Sequence, residues 1–300
     1  MMSTEPDAWT TWPAPAKLNL FLHIVGRRAD GYHLLQTVFQ LLDWGDEVQL
    51  RVGRDGVIAR GDDGFDVPAA QDLCLRAAHA LRRRTGSHCG AAIRLRKRIP
   101  VGGGLGGGSS DAATVLVALN ELWDTGLGVA ELAAIGSELG ADVPVFVHGR
   151  SAWAEGVGEQ LTPIAVPAHD YVIVDPGAAV STAVLFQAAE LTRNSPQTTI
   201  SGYLSGSGVE AVNAFEPIVR ARYPPVAAAL DWLGQFGRAR LTGSGGCVFA
   251  AVESKQVAEQ IVRHCPRIFS AYRAQGVTES PLLEAVSRFR AGLGAVRPSG

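Results

Sequence analysis

The sequence predicts an α+β protein with two lobes. Segments typical of strands and of helices follow one another without the regular βαβ rhythm of a parallel sheet. The chain has 300 residues, of which 47% are hydrophobic, which is enough to bury a core and too long for one small domain. Strand-like segments resume near residues 150–160. We therefore expect an N-terminal domain over residues 1–157 and a C-terminal domain over residues 158–300.

The period of the hydrophobic residues assigns the individual elements. Alternation predicts strands over residues 16–28 and 91–99, and strands interrupted at Trp44-Gly45-Asp46 within 37–53. Helical spacing predicts helices over residues 73–86, 109–123, 129–140, 224–237 and 254–265. Strands are also expected over residues 151–164 and 171–177, and on both sides of a glycine turn within 238–252. Residues 193–208, rich in Ser, Thr and Gly, are expected to form a mobile surface connection, and residues 292–300 a loose tail.

Composition excludes several classes of protein. The net charge is −2, so the chain does not look like a binder of nucleic acid or of membrane surfaces. No segment reaches the roughly 18 apolar residues of a membrane span, and the N-terminal segment has no apolar core of a secretory signal. The four cysteines include no C-x-x-C pair, which favours reduced thiols. We expect a cytoplasmic protein with a small-molecule partner, either a monomer or a homodimer.

The segment "RIPVGGGLGGGSSDAA" carries the strongest signal, because six of the seven positions from Gly102 to Gly108 are glycine. The P-loop pattern fails, since no lysine falls at the required place. The dinucleotide pattern G-x-G-x-x-G is matched, but a helix follows where a further strand with an acidic residue is needed. The glycine loop of protein kinases is followed by a strand, whereas this one enters a helix.

The remaining interpretation is a phosphate site at the start of a buried helix. Free N–H groups and the helix dipole favour an anion there, and missing side chains let phosphates reach the main chain. Ser109 and Ser110 are placed to cap the helix or to contact a phosphate or its metal. Asp111 would repel a phosphate, so we expect it to point away. The alternative is a structural turn in which two backbones cross closely.

Three segments resemble the three signatures of the GHMP kinases, the family of galactokinase, homoserine kinase and mevalonate kinase. "PAPAKLNLFLHI" is similar to the first, "PVGGGLGGGSSDAA" to the second and "LTGSGGCVFA" to the third. Two departures are small: Ser244-Gly245-Gly246 stands where Thr-Gly-Ala is common, and Asp111 where Asn is frequent. The resemblance implies an N-terminal lobe like ribosomal S5 domain 2 that binds ATP, and a ferredoxin-like C-terminal lobe that binds the substrate.

The same resemblance implies ATP and Mg²⁺ as cofactors. It assigns ATP binding to Lys97, Pro100, Val101, Gly102, Gly103, Gly104, Leu105, Gly106, Gly107, Gly108, Ser109 and Ser110. Lys97, taken alone, is equally a solvated charge on a strand. No carboxylate is identified as a metal ligand.

Two further motifs, "RADGYH" and "LGADVPVF", resemble those of family members that phosphorylate a cytidine-diphosphate-linked methylerythritol in the non-mevalonate isoprenoid route. This implies ATP-dependent phosphorylation of the 2-hydroxyl. It also implies that the cytosine ring stacks between Tyr32 and Phe186, while His33 hydrogen-bonds its polar edge and Thr182 contacts the substrate nearby. Phe186 is otherwise an ordinary core aromatic. The alternatives are a GHMP kinase for another small alcohol, such as homoserine or mevalonate, and a non-catalytic nucleotide sensor; a dehydrogenase is a more distant one.

Lys17 and Asp142 are the expected catalytic pair. Lys17 is a lone cation in an apolar strand, and lysine is rarely buried without a partner, although it can also snorkel from a strand edge. Asp142, by itself, is a typical loop aspartate. Resemblance to the family makes Asp142 the base that accepts the proton of the substrate hydroxyl and Lys17 its partner. Asn19 lies on the same face of the strand as Lys17 and is expected to bind the erythritol part.

Overall fold

One mixed sheet joins the two lobes in the computed structural model, which describes residues 8–61, 68, 70–207, 210 and 212–292. Within these residues the sheet has ten strands, with β3-β4-β2-β10-β7-β9-β8 as its main path. Strand β1 pairs with β2, and the hairpin β5–β6 also pairs with β2. Strand β2 is therefore the hub of the N-terminal half. The tail expected over residues 292–300 lies outside the described residues apart from Gly292.

The strands are β1 (Thr10–Arg27), β2 (His33–Gly53), β3 (Ile58–Arg60), β4 (Gly90–Arg96), β5 (Ala152–Glu155), β6 (Gln160–Pro163), β7 (Asp170–Asp175), β8 (Arg240–Leu241), β9 (Val248–Val252) and β10 (Ser270–Val277). The helices are α1 (Leu73–Thr85), α2 (Gly107–Leu122), α3 (Val129–Leu139), α4 (Val143–His148), α5 (Thr182–Gln187), α6 (Ile200–Ser205), α7 (Glu216–Arg222), α8 (Pro224–Leu233), α9 (Lys255–Arg263) and α10 (Pro281–Arg290). No helix in these ranges is both long and apolar enough to cross a bilayer.

The long antiparallel pair β1–β2 is the foundation of the N-terminal lobe. The break expected at Trp44-Gly45-Asp46 was wrong, because β2 runs through it without interruption. Gly45 instead allows the two strands to approach: a Cβ atom there would lie 2.1 Å from the carbonyl oxygen of Ala14. The register of the pair shifts beside it, between Pro15 and Lys17. A glycine in a strand thus marks a close backbone contact here and not an end.

Helix α2 is the centre of the first hydrophobic core. The sequence places apolar residues around nearly the whole circumference of this helix. Such a helix must be buried, and the structure buries every residue from Ser110 to Asn120. Helix α1 packs beside it; the carboxylate of Asp72 caps α1 by accepting the N–H groups of Cys74 and Leu75. Gly86 ends α1 in the left-handed conformation, which glycine adopts without strain.

Strands β7 to β10 and helices α7 to α9 build the C-terminal lobe around a second core, and a third apolar cluster packs residues of β1 and β2 with residues of β7, β9 and β10. Two elements beyond residue 157 pack with the first lobe. Strand β6 pairs with β5, and helix α10 places Leu282, Ala285 and Val286 in the first core. The chain therefore crosses between lobes more than once, and the division at residue 157 stays a prediction.

The connection over residues 193–208 contains helix α6 and is held on the sheet. The N–H of Ser195 donates to the carbonyl oxygen of Ile24 at 2.8 Å. The N–H of Thr198 donates to Oε1 of Gln36 at 3.0 Å. Its Ser, Thr and Gly composition did not predict this attachment, because the contacts use main-chain groups and a glutamine from distant strands.

Two glycine turns interlock in the cleft between the lobes. The N–H of Cys247 donates to the carbonyl oxygen of Gly103 at 3.1 Å, and that of Gly246 to Gly102 at 3.4 Å. A Cβ atom on Gly104 would lie 2.1 Å from the carbonyl oxygen of Thr242, and one on Gly245 would lie 2.1 Å from the nitrogen of Gly104. Part of the glycine content therefore serves a crossing of two backbones and not a ligand.

We expect Gly104→Ala and Gly102→Ala to differ in cost although both positions have positive φ, +79° and +74°. Left-handed backbone costs alanine about 1–2 kcal/mol at either position. Gly104 adds a clash with backbone, so its total loss should be about 3 kcal/mol or more, whereas a Cβ on Gly102 has no atom within 4 Å. Denaturant unfolding measures both variants. Equal losses in free energy of unfolding would contradict the interlock.

Candidate active site

A cavity of about 540 Å³ lies in the cleft where the two glycine turns meet. Both lobes line it, so a ligand there would touch the two halves of the chain at once. Its wall includes Lys17, Asn19, Lys97, Asp111 and Asp142, residues 100–109 of the first glycine loop, Thr182 and Phe186 of α5, and Gly243 and Ser244 of the second turn. The structure thus brings most of the predicted site residues to one cavity.

Lys17 is a buried cation whose ammonium group has acceptors from three parts of the chain. Its side chain is 3% exposed, and Nζ lies 3.4 Å from Oδ2 of Asp142. Nζ also donates to Oδ1 of Asn19 and, at 3.0 Å, to the carbonyl oxygen of Gly104. Two of its three N–H donors are thus used in hydrogen bonds, and Asp142 adds an ion pair. Lys17 is therefore held at the floor of the cavity, and the pairing with Asp142 that the sequence predicted is present.

The carboxylate of Asp142 is not used to cap the neighbouring helix. It stands directly before helix α4, yet its side chain makes no capping hydrogen bond. Pro144 near the start of that helix restricts the local backbone. The side chain is 34% exposed, in contrast to the buried Lys17. Such a carboxylate, paired with a cation and open to the cavity, can accept a proton from a ligand.

Asn19 contacts both Lys17 and the second glycine turn. Its Nδ2 donates to Oγ1 of Thr37 at 2.9 Å, and its main-chain N–H donates to Oγ1 of Thr242 at 3.0 Å. The side chain is buried. The predicted contact with a substrate stays a prediction, but the position on the same strand face as Lys17 is as expected.

Helix α2 begins in the cavity without a side-chain cap. Its first N–H groups have no acceptor within the helix by construction, and Gly107, Gly108 and Ser109 line the cavity at that point. Among the residues that the structure describes, the buried hydroxyl oxygen of Ser110 has no hydrogen-bond partner. Val101 at the rim is 80% exposed. These features fit an anion, because unpaired amides and the helix dipole favour negative charge.

Lys97 is not a solvated charge. Its Nζ contacts a carboxylate oxygen of Asp46 and, at 2.9 Å, Oδ2 of Asp111. Asp46 also accepts the N–H groups of Arg98 and Ile99. Asp111 therefore pairs with Lys97 and lines the cavity, and its expected orientation away from a phosphate stays a prediction. Burial by itself lowers the pKa of Lys97, but the charges of Asp111 and Asp46 outweigh it and raise that pKa.

One ammonium group cannot compensate two buried carboxylates. Burial raises the pKa of Asp111 to about 7; the charge of Lys97 opposes this shift and that of Asp46 adds to it. The oxygen Oδ1 of Asp111 is buried and has no hydrogen-bond partner. The group thus carries a proton more readily than an ordinary aspartate.

The residues predicted to hold a cytosine ring meet only in part. His33, not Tyr32, stacks on Phe186, with ring centroids 4.8 Å apart and planes inclined by 22°. Tyr32 is 64% exposed on the turn before β2. Thr182 shares a hydrogen bond of 2.6 Å with the hydroxyl of Ser244. The placement of a base between Tyr32 and Phe186 stays a prediction.

Comparison with known proteins gives matches along most of the chain. The model "GHMP kinases N terminal domain" matches residues 72–150, and "GHMP kinases C terminal" matches residues 188–271. A curated protein of Xanthomonas campestris pv. campestris, a 4-diphosphocytidyl-2-C-methyl-D-erythritol kinase, is 55% identical over 287 residues, 95% of this chain and 97% of the relative. The chain belongs to the GHMP kinase family. A protein of the same name from Halorhodospira halophila is 54% identical over 91% of this chain and 95% of its own length.

Solved structures agree with this assignment. The GHMP kinase superposes on a crystal structure of a 4-(cytidine 5'-diphospho)-2C-methyl-D-erythritol kinase with a TM-score of 0.78 and 32% identity, covering 89% of this chain and 99% of the other. The mevalonate kinase of Methanococcus jannaschii has a TM-score of 0.66 at 15% identity, covering 92% of this chain and 100% of the other, which shows the fold alone. The predicted fold class and the prediction of a kinase are confirmed.

Sequence reasoning missed four residues of this GHMP kinase site. Asp46 anchors Lys97, Thr242 holds Asn19, Ser244 contacts Thr182, and Arg193 contacts His33. The second glycine turn was noted for its glycines, and its hydroxyl residues were the available signal. No sequence signal identified Asp46 or Arg193, because their partners lie far away in the sequence. Among the described residues, no three His, Cys, Asp or Glu side chains gather as a metal site.

We expect Asp111→Asn to change how the stability of this GHMP kinase depends on pH. The folded pKa of about 7 lies above the ordinary value of 3.8, so only the folded chain holds the proton between these values. The contribution of Asp111 to the free energy of unfolding must therefore fall as pH rises through this window. Asparagine does not titrate. The free energy of unfolding of Asp111→Asn, relative to that of the wild type, should therefore rise by about 2 kcal/mol between pH 5 and pH 8.

Denaturant unfolding at the two pH values measures this difference. Asp231→Asn is the matched control, because that carboxylate is 65% exposed and pairs with Arg220 at the surface. Parallel pH curves for wild type and Asp111→Asn would show that Asp111 is ionised throughout.

Proposed function

We propose that this GHMP kinase transfers the γ-phosphoryl group of ATP to the 2-hydroxyl of 4-diphosphocytidyl-2-C-methyl-D-erythritol. The observation that carries the proposal is the 55% identity to a kinase of that name over 95% of this chain and 97% of the relative. Mevalonate and homoserine kinases share the fold at 15–17% identity, which does not favour their substrates. A non-catalytic sensor is disfavoured because Lys17 and Asp142 are both present and paired.

We place the phosphates of ATP at the first glycine loop and the start of α2. The uncapped helix supplies amide donors and a favourable dipole, and Gly102 and Gly108 leave the backbone accessible. Lys97 lies beside this loop, 3.1 Å from where a Cβ on Gly107 would stand. Because Asp46 and Asp111 already compensate its charge, we assign Lys97 to shaping the nucleotide site and not to neutralising phosphate.

Mg²⁺ fits this site as an ion carried by the nucleotide. Magnesium bound to the phosphates offsets their charge and is typically held by one or two protein oxygens with water. Among the described residues, the buried hydroxyl of Ser110 has no hydrogen-bond partner. It is the protein oxygen that we propose as a ligand.

Asp142 acts as the general base in this proposal. It accepts the proton of the substrate hydroxyl, and the nearby ammonium of Lys17 stabilises negative charge on the attacking oxygen. Asn19 and the carbonyl of Gly104 fix Lys17, so the interlock of the glycine turns also positions the chemistry. Phosphoryl transfer depends mainly on such positioning and charge stabilisation.

The substrate end of the cavity is assigned to Tyr32, His33, Thr182 and Phe186. Stacking accepts any base, so hydrogen bonds from His33 must select cytosine. In this division residues 1–157 carry the ATP loop, and residues 158–300 contribute α5 with Thr182 and Phe186. We further propose that the enzyme acts in the cytoplasm on a soluble metabolite.

Coupled measurement of ADP release tests the substrate. We expect ATP turnover to depend on the cytidylyl methylerythritol, with no comparable turnover on homoserine or mevalonate, and a new phosphate monoester in the ³¹P spectrum of the product. Turnover on mevalonate or homoserine but not on the cytidylyl alcohol would refute the proposed substrate.

We expect Asp142→Asn to lower kcat by about 10²–10⁴-fold, because the amide cannot accept the proton. ATP binding, followed by calorimetry with a nonhydrolysable analogue, should change little. Asp124→Asn is the control: Asp124 has positive φ, 52°, which asparagine tolerates, and it lies on the exposed turn after α2. Unaltered turnover of Asp142→Asn would remove Asp142 from the mechanism.

A further inference from the structure

Arg193 joins the connection after α5 to the base-binding end of the cavity. Its Nε donates to Nε2 of His33 at 3.2 Å. Its other nitrogens donate to main-chain carbonyl oxygens: Nη1 to Leu191 at 3.1 Å, and Nη2 to Phe186 at 3.1 Å and Ala188 at 2.8 Å. The planar guanidinium is therefore fixed on both sides, with one N–H aimed at the imidazole ring.

This contact sets the protonation of His33. A guanidinium only donates hydrogen bonds, so Nε2 must present its lone pair, and the ring proton lies on Nδ1. An imidazolium would direct a second N–H at the guanidinium. Among the described residues Nδ1 has no hydrogen-bond partner, so it is left as a donor for a ligand. The stacking of His33 on Phe186 holds the ring plane.

The charges around His33 agree with a neutral ring. Burial lowers the pKa of His33, and the nearby charges of Arg193 and Arg27 lower it further. Arg27 itself donates to the carbonyl oxygen of Gly31 at 3.0 Å. Both cations thus oppose a charge on the ring at neutral pH.

We propose that Arg193 is a positioning residue that fixes His33 as an Nδ1–H donor and thereby sets the preference of the site for cytosine. The inference rests on the proposed function for the identity of the base. Cytosine presents acceptors at N3 and O2, whereas N3 of uracil carries a proton and would meet the same donor with a like group. A donor of fixed tautomer that meets N3 therefore separates the two bases, because a mismatch leaves polar groups unpaired.

Nitrogen NMR of the wild-type enzyme labelled with ¹⁵N-histidine tests the tautomer without any substrate. We expect a neutral ring at pH 7 with the proton on Nδ1 and a pKa below the ordinary 6.5. The His33 signal is identified by its loss in His33→Phe, which keeps a ring to stack on Phe186. A proton on Nε2, or a charged ring at pH 7, overturns the proposal.

Kinetics of Arg193→Met test the consequence for recognition. We expect the KM of the cytidylyl substrate to rise about tenfold, the size of one lost hydrogen bond, while kcat and the KM of ATP stay within about twofold. The preference over a uridylyl analogue should fall by a similar factor. Arg222→Met is the matched control, because Arg222 holds Glu190 of the same connection through two exposed contacts of 2.8 Å and does not touch His33.

The double variant separates positioning from structural damage. In the His33→Phe background, Arg193→Met should add no further rise in KM, since its effect passes through His33. A full additional loss there, or an equal loss of kcat and of ATP affinity in Arg193→Met, overturns the proposal. If wild type shows the Nδ1 tautomer but releases no ADP with the cytidylyl substrate, the proposed function fails while the assignment of the tautomer stands.

Discussion

Burial of the Lys17 ammonium is the constraint on which the rest of the site depends. A cation at 3% exposure needs polar partners that compensate its charge. Here they come from β1, from the glycine loop and from the residue before α4. Only a chain that brings these three parts together can bury that charge. The main-chain N–H of Lys17 also donates to the carbonyl oxygen of Leu105 at 3.0 Å. The strand and the glycine loop are thus joined by both main chain and side chain.

The two lysines of the cleft, Lys17 and Lys97, have different surroundings. Lys17 faces one half-exposed carboxylate and two neutral oxygens, so its charge remains available to a ligand. Lys97 faces two buried carboxylates, and the excess negative charge is relieved by holding a proton. Similar residues therefore have different surroundings within one cavity: Lys17 lies beside a partly exposed carboxylate, and Lys97 lies between two buried ones.

The stacked pair of His33 and Phe186 is held by a segment that has no distinctive sequence pattern. The connection after α5 is poor in apolar residues, yet Arg193 uses it to orient His33 and to fix the carbonyl groups around Phe186. The hydroxyl pair Thr182–Ser244 joins the start of α5 to the second glycine turn. The second glycine turn therefore links α5 to the first glycine loop, because it contacts Thr182 and also hydrogen-bonds Gly102 and Gly103.

Local sequence determined the elements of this protein where hydrophobic period and glycine placement act over neighbouring residues. Helices α1, α2 and α3, the strand of Lys17, the two glycine turns and the Lys17–Asp142 pairing were all predictable, the last from the family motifs. Tertiary structure alone decided why Gly45 does not end a strand, why Gly104 must be glycine, and that α10 returns to the first lobe. It also decided that Asp46 holds Lys97 and that Arg193 sets the proton of His33. Each of these depends on contacts between residues distant in sequence, and such contacts leave no periodic pattern along the chain.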